Sequence, residues 1–192
     1  IALPGENFNT VIYTGTASVT KNVTGVGFQP DFCWLKTRVD VASHALFDSV
    51  RGTNEVLNSN TTAVEGSDSG AGFSAFGSDG FTVIEQVSAA GSINAASGMV
   101  SWNWKAGGAS TVTNTDGDEE SEVSVNNTAG ISILTYSGTL TSSGSRTVGH
   151  GMNVTPELII SKSTNTVASW AVQVPNVLTS SSYILRLDTN AA

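Results

Sequence analysis

Gln29-Pro30-Asp31-Phe32-Cys33-Trp34-Leu35-Lys36-Thr37 returns later in the chain as Thr155-Pro156-Glu157-Leu158-Ile159-Ile160-Ser161-Lys162-Ser163, a shift of 156 − 30 = 126. The relation extends to both sides. Tyr13-Thr14-Gly15-Thr16 is echoed by Tyr136-Ser137-Gly138-Thr139 (136 − 13 = 123), and Val56-Leu57-Asn58 by Ile184-Leu185-Arg186 (184 − 56 = 128). Self-similarity at a nearly constant period indicates one structural unit used twice. What recurs is strand and turn chemistry, a proline leading into a β-branched or aromatic run. No reactive side chain recurs in register, which points to a scaffold rather than an enzyme.

Strand signals dominate elsewhere too. Val11–Thr14, Phe32–Lys36, Gly80–Ile84, Met99–Trp104, Ile131–Tyr136, Leu158–Lys162, Ser169–Val174 and Tyr183–Leu187 are short, rich in β-branched or aromatic residues, and bounded by turn formers. Val100, Trp102 and Trp104 alternate with Ser101 and Asn103, so the tryptophans are expected on the buried face of one strand. Ser78-Asp79-Gly80 reads as a tight turn. No segment carries helical apolar spacing with a start and a stop. The pattern predicts an all-β protein, an antiparallel β-sandwich or jelly roll built from an internal repeat. Its expected organisation is a first unit over 1–110, an acidic polar junction over 111–130, and a second, incomplete unit over 131–192. Residues 63–108 have no counterpart in the second copy, which predicts a polypeptide that continues past Ala192.

The 192 residues carry 8 basic and 16 acidic side chains, a net charge of −8. That sign disfavours nucleic acid and anionic membranes as partners. No apolar run approaches the roughly 18–20 residues needed to span a bilayer. A single cysteine, Cys33, excludes an intrachain disulfide, and its apolar neighbours mark it as a small buried hydrophobe.

Candidate chemistry is sparse. His44 and Asp48 are the best acid–base pair, four residues apart, but no nucleophile elbow accompanies them and an edge-of-sheet structural role is favoured. Arg51, among few basic residues, is placed to brace Asp48 across a turn or to touch a ligand. Asp116, Asp118 and Glu120 alternate, so in an extended segment their carboxylates share one side and suit calcium, the one cofactor considered. A solvated acidic hairpin or linker is the plainer reading of that stretch. Glu85 stands alone, without the second carboxylate that glycan hydrolysis needs. Sugar binding asks only for an aromatic platform with polar loops. Trp102 and Trp104 share a face and are read as core, which leaves Trp170 as the tryptophan expected to be exposed to ligand.

Several phrases together resemble a known family. Gly25-Val26-Gly27-Phe28-Gln29-Pro30-Asp31-Phe32-Cys33-Trp34-Leu35-Lys36, Ser43-His44-Ala45-Leu46-Phe47-Asp48-Ser49-Val50-Arg51-Gly52, Ser78-Asp79-Gly80-Phe81-Thr82, Trp102-Asn103-Trp104-Lys105-Ala106-Gly107-Gly108 and Val148-Gly149-His150-Gly151 are similar to a repeated domain of phage virion proteins. It is common in tail-fibre-like proteins of cyanophages and is classed with the concanavalin A-like lectin/glucanase (laminin-G-like) sandwiches. The resemblance covers about Val11 to Ala192. It implies a non-catalytic virion module facing outward, on a tail fibre, adhesin or capsid decoration, with host surface glycans and other virion proteins as partners and a homo-oligomer, by expectation a trimer. The alternatives are a purely structural virion spacer, or a carbohydrate-binding module of a secreted bacterial protein or depolymerase. Trp170, His44, Asp48 and Arg51 are the ligand-binding candidates.

Overall fold

A computed structural model describes residues 3–17, 19–67, 72–84, 93–108, 110–139, 144–177 and 184–189. After a short 3-10 turn at Pro4–Glu6, every regular element among them is a strand. In chain order these are β1 (Phe8–Thr14), β2 (Lys21–Thr24), β3 (Phe32–Thr37), β4 (Ala45–Asp48), β5 (Gly52–Leu57), β6 (Gly66–Ser67), β7 (Phe73–Gly77), β8 (Gly80–Val83) and β9 (Gly98–Trp104). They are followed by β10 (Val112–Asn114), β11 (Ser121–Asn126), β12 (Ile131–Tyr136), β13 (Ile159–Ser161), β14 (Ala171–Gln173) and β15 (Leu185–Arg186). The fold is all-β, and its strand ladders are antiparallel throughout.

β1 to β9 make two sheets, one of six strands in the order β1-β9-β3-β4-β5-β6 and one of three in the order β2-β8-β7. Between them lies the main core, in which Cys33 and Leu35 from β3, Phe47 from β4, and Phe73 and Phe81 from the small sheet are all buried. Phe47 stacks on Phe73, and Phe73 on Phe81, at ring separations of 4.7 and 5.4 Å. Burial of apolar area at this density is what holds such a sandwich together. The predicted turn at Ser78-Asp79-Gly80 joins β7 to β8, and the Asp79 carboxylate accepts from the backbone N–H of Gly25 (3.1 Å) and Gly27 (2.6 Å). Those two bonds hold the Asp79 carboxyl below the usual carboxylate range.

β9 inverts the expected facing. Met99, Ser101 and Asn103 point into the core, while Val100, Trp102 and Trp104 lie half-buried on the outer face of the large sheet. Two polar side chains tolerate that position because they satisfy each other. The Asn103 amide donates to Ser101 Oγ (2.9 Å) and to the Asn9 carbonyl (3.1 Å).

The remaining strands form two further sheets, β10-β11-β12 and β13-β14-β15. The acidic stretch 111–130 is therefore a folded hairpin of β10 and β11, with Ser121, Val123 and Ser124 buried, rather than a junction outside the sheets. Adding 126 to the β3–β4 partners Leu35↔Ala45, Trp34↔Leu46 and Cys33↔Phe47 gives Ser161↔Ala171, Ile160↔Val172 and Ile159↔Gln173, which are the β13–β14 partners. Leu46↔Leu57 maps likewise onto Val172↔Leu185 (46 + 126 and 57 + 128). Tyr183, the expected start of the last strand, and Glu85 lie outside the described residues.

Candidate functional site

The outer face of the six-stranded sheet carries a row of rings. In register, Phe8 on β1, Trp104 on β9 and Phe32 on β3 lie side by side, with centroid separations of 4.9 Å from Phe8 to Trp104 and 5.3 Å from Trp104 to Phe32. Two residues along the same strands, Thr10, Trp102 and Trp34 form the next rung, and Trp34 meets Trp102 edge-on at 6.5 Å. The spacing-two pattern places these rings together, because side chains two apart on a strand share a face. On the β1 side the face is open to solvent, with Phe8, Thr10 and Ile12 exposed. Among the described residues, the indole N–H groups of Trp102 and Trp104 donate to no protein acceptor. A row of half-exposed rings with free N–H donors offers flat apolar surface and directional polar contacts in one place.

The opposite side of this face is closed. Trp170 is buried, packed with Leu46 and Leu57 against Phe32 and Trp34, and its indole N–H donates to the Asn58 carbonyl at 3.0 Å. The expectation that Trp170 is the exposed platform is corrected: the segment before β14 lays it over the large sheet, where it removes apolar surface from water. Trp34, Trp102 and Trp104, the supposed core tryptophans, are the accessible ones.

His44 and Asp48 do not form an acid–base pair. His44 Nδ1 accepts from Trp34 Nε1 at 2.8 Å, which fixes the imidazole with that nitrogen unprotonated. Burial, with the Lys36 ammonium nearby, lowers the His44 pKa. Asp48 is turned away into a brace. One oxygen accepts from the backbone N–H of Val50 and Arg51, and the other from Arg51 Nε at 2.6 Å. The Arg51 guanidinium also meets Glu65 Oε1 at 2.5 Å and the carbonyls of Glu55 and Leu46. With its donors engaged and its side chain almost wholly buried, Arg51 holds a turn and does not face a ligand.

The calcium expectation also meets a correction. The chain bends through Asp116-Gly117-Asp118, so the carboxylates of Asp116, Asp118 and Glu120 do not line one side. Asp116 is engaged by Asn114, and Asp118 by the N–H and hydroxyl of Thr147 at 2.9 and 2.8 Å. Glu120 is exposed, whereas its neighbour Glu119 is buried and accepts from Thr139 at 2.7 Å. Hydrogen bonds keep the Asp118 and Glu119 carboxyls below their ordinary values. Among the described residues no three His, Cys, Asp or Glu side chains come together to hold a metal ion. A shallow cleft of about 300 Å³ does lie between Asp116 and 148–153, but its one imidazole, His150, accepts from the Met152 N–H.

Sequence reasoning missed Asp31. Wholly buried at the entry to β3, its carboxylate accepts from the backbone N–H of Ala106 (2.8 Å) and Gly108 (3.0 Å), anchoring the chain that leaves β9. An acidic residue directly after proline and before an apolar run was the available signal. Cys33 is buried, and burial raises its thiol pKa well above the ordinary value, as a small core hydrophobe requires. Among the described residues no helix is long and apolar enough to cross a membrane.

Neither the curated proteins nor the solved structures include a match to this chain. One family does match, over residues 3–192, and on that coverage the chain belongs to the family described as Domain of unknown function (DUF7483).

Proposed function

We propose that this chain is a non-catalytic, lectin-like module of a virion, presented outward on a fibre, adhesin or capsid decoration and contacting host surface glycans. The observation that carries the reading is the ring row Phe8, Trp104, Phe32, Trp34 and Trp102 on the open side of the six-stranded sheet. Pyranose rings present apolar C–H faces and hydroxyl rims, and a half-exposed indole with a free N–H complements both. The net charge of −8 favours neutral sugars over phosphate-rich partners. The resemblance of Gly25–Lys36 and Ser43–Gly52 to phage virion domains supplies the virion context and the jelly-roll, concanavalin A-like reading of the two packed sheets. The duplicated-unit reading is supported by the coincidence of pairing offsets between β3–β4–β5 and β13–β14–β15. Weak sites on such a module gain avidity in an oligomer, here a trimer, through high effective concentration.

The test is binding of the purified chain to an array of host-envelope polysaccharides. Thr10 is exposed beside Trp102, so Thr10→Arg obstructs the ring row without touching the core. It and Trp102→Ala each weaken binding by about tenfold or more. No signal on the array, or undiminished binding in both variants, removes the glycan reading and leaves a structural spacer. Release of reducing ends from those polysaccharides removes the non-catalytic one.

A further inference from the structure

Residues equivalent by the 126 shift have opposite surroundings. Phe28 is 4% exposed and Val154 63%; Cys33 is 0% exposed and Ile159 38%. At the 128 shift, Leu57 is 6% exposed and Leu185 55%. Ile160, where the first copy has Trp34, is exposed as well. In the first copy this burial comes from identifiable strands. β9 pairs with β1 on one side and β3 on the other, and the small sheet β2-β8-β7 covers the inner face. In the second copy β12 stands where β1 does and β13 where β3 does, yet among the described residues β12 pairs only with β11, and β13 only with β14. Asp31 clamps the segment after β9, and its counterpart Glu157 (31 + 126) is exposed. β2 alone has a counterpart, since Val148 (22 + 126) bridges Glu119.

We infer that the exposed meander β13–β14–β15, with the free edges of β12 and β13, is the docking face for one further segment of the type of residues 65–108, carried in cis after β15. Its last strand, of the Gly98–Trp104 kind, adds to both edges by main-chain pairing, and its hairpin, of the Phe73–Val83 kind, covers the apolar inner face. Chain order selects the occupant. In the first copy the covering strands β7, β8 and β9 all follow β5, and the one that precedes β3, β2, already has its equivalent in place. A bare, apolar edge strand with no charge on it is a template for pairing, and β13 reads Ile159-Ile160-Ser161. The inference rests on the duplicated-unit reading and is independent of glycan binding.

The experiment appends a second copy of residues 65–108 after Ala192 (65 + 128 = 193), beside a scrambled version of the same segment. Both extended chains and the 192-residue chain are followed by hydrogen exchange, melting and light scattering. The native-sequence extension slows amide exchange in β12 and β13 by about tenfold or more and raises Tm by about 5 °C. Equal exchange in the native and scrambled extensions overturns the proposal. So does a 192-residue chain that is already dimeric with β13 protected, because a second copy then covers the face. An experimental structure of the unextended chain that keeps the β13–β14–β15 pairing separates a failure of docking from a failure of the duplication.

Discussion

The meanders β3–β4–β5 and β13–β14–β15 pair with the same offsets but live in different surroundings. The first is sealed between a small sheet inside and Trp170 outside, and the second presents both faces to water. Backbone pairing alone therefore does not explain what stabilises the first. What differs is the apolar area removed from water and the number of buried polar groups that must find partners. A substitution in the first copy should be felt and its counterpart in the second should not, and each prediction below measures that asymmetry.

The largest effect belongs to Phe47, which is wholly buried and stacked on Phe73. Phe47→Ala costs about 3–5 kcal/mol through lost burial and a cavity. Gln173→Ala, at 47 + 126, stays within about 0.5 kcal/mol. Urea unfolding followed by tryptophan fluorescence reads both, and equal losses would break the comparison. Next comes the Asp31 clamp. Asp31→Ala strips the Ala106 and Gly108 amides of their acceptor, at about 1–3 kcal/mol, whereas Glu157→Ala is close to neutral in the same assay.

The smallest effect is a pH dependence. Burial and Lys36 lower the folded pKa of His44, so the unfolded chain binds the proton more readily. The neutral ring's contribution is present above the ordinary histidine range and is lost as pH falls through it toward the lower folded value. Between about pH 7.5 and 5.5 the urea midpoint of the native chain drops, and His44→Gln flattens that drop. Trp170, at 44 + 126, has no titratable group and adds nothing to the slope. A slope unchanged in the variant would assign it elsewhere.

Much of the strand pattern could be read from residue order, and the reasons for the exceptions are physical. β3, β8, β9 and β12 announce themselves by β-branched and aromatic runs between turn formers. β4 does not, because Ala45, Leu46, Phe47 and Asp48 are all buried and a strand covered on both faces shows no alternation. β10 and β11 were hidden by the carboxylates of the bend between them, although Val123 and Val125 alternate in β11 with Glu122 and Ser124. The ring row was visible as spacing, but its side was misjudged. Hydrophobicity assigns tryptophan inward, and only the mutual bonding of Ser101 and Asn103, a tertiary fact, permits the reverse. Trp170 was misplaced for a related reason, since nothing local reveals that a distant sheet needs a cover.

The hydrogen-bonded amide and hydroxyl on the inner side of β9 have a consequence for how the strand finds its place. Sliding β9 by one residue between β1 and β3 would thrust two indoles into space sized for methionine, serine and asparagine, and would strand the polar groups outside. Only one alignment avoids both penalties. The central strand of the larger layer is thereby keyed, and each misaligned pairing is rejected before the layer closes.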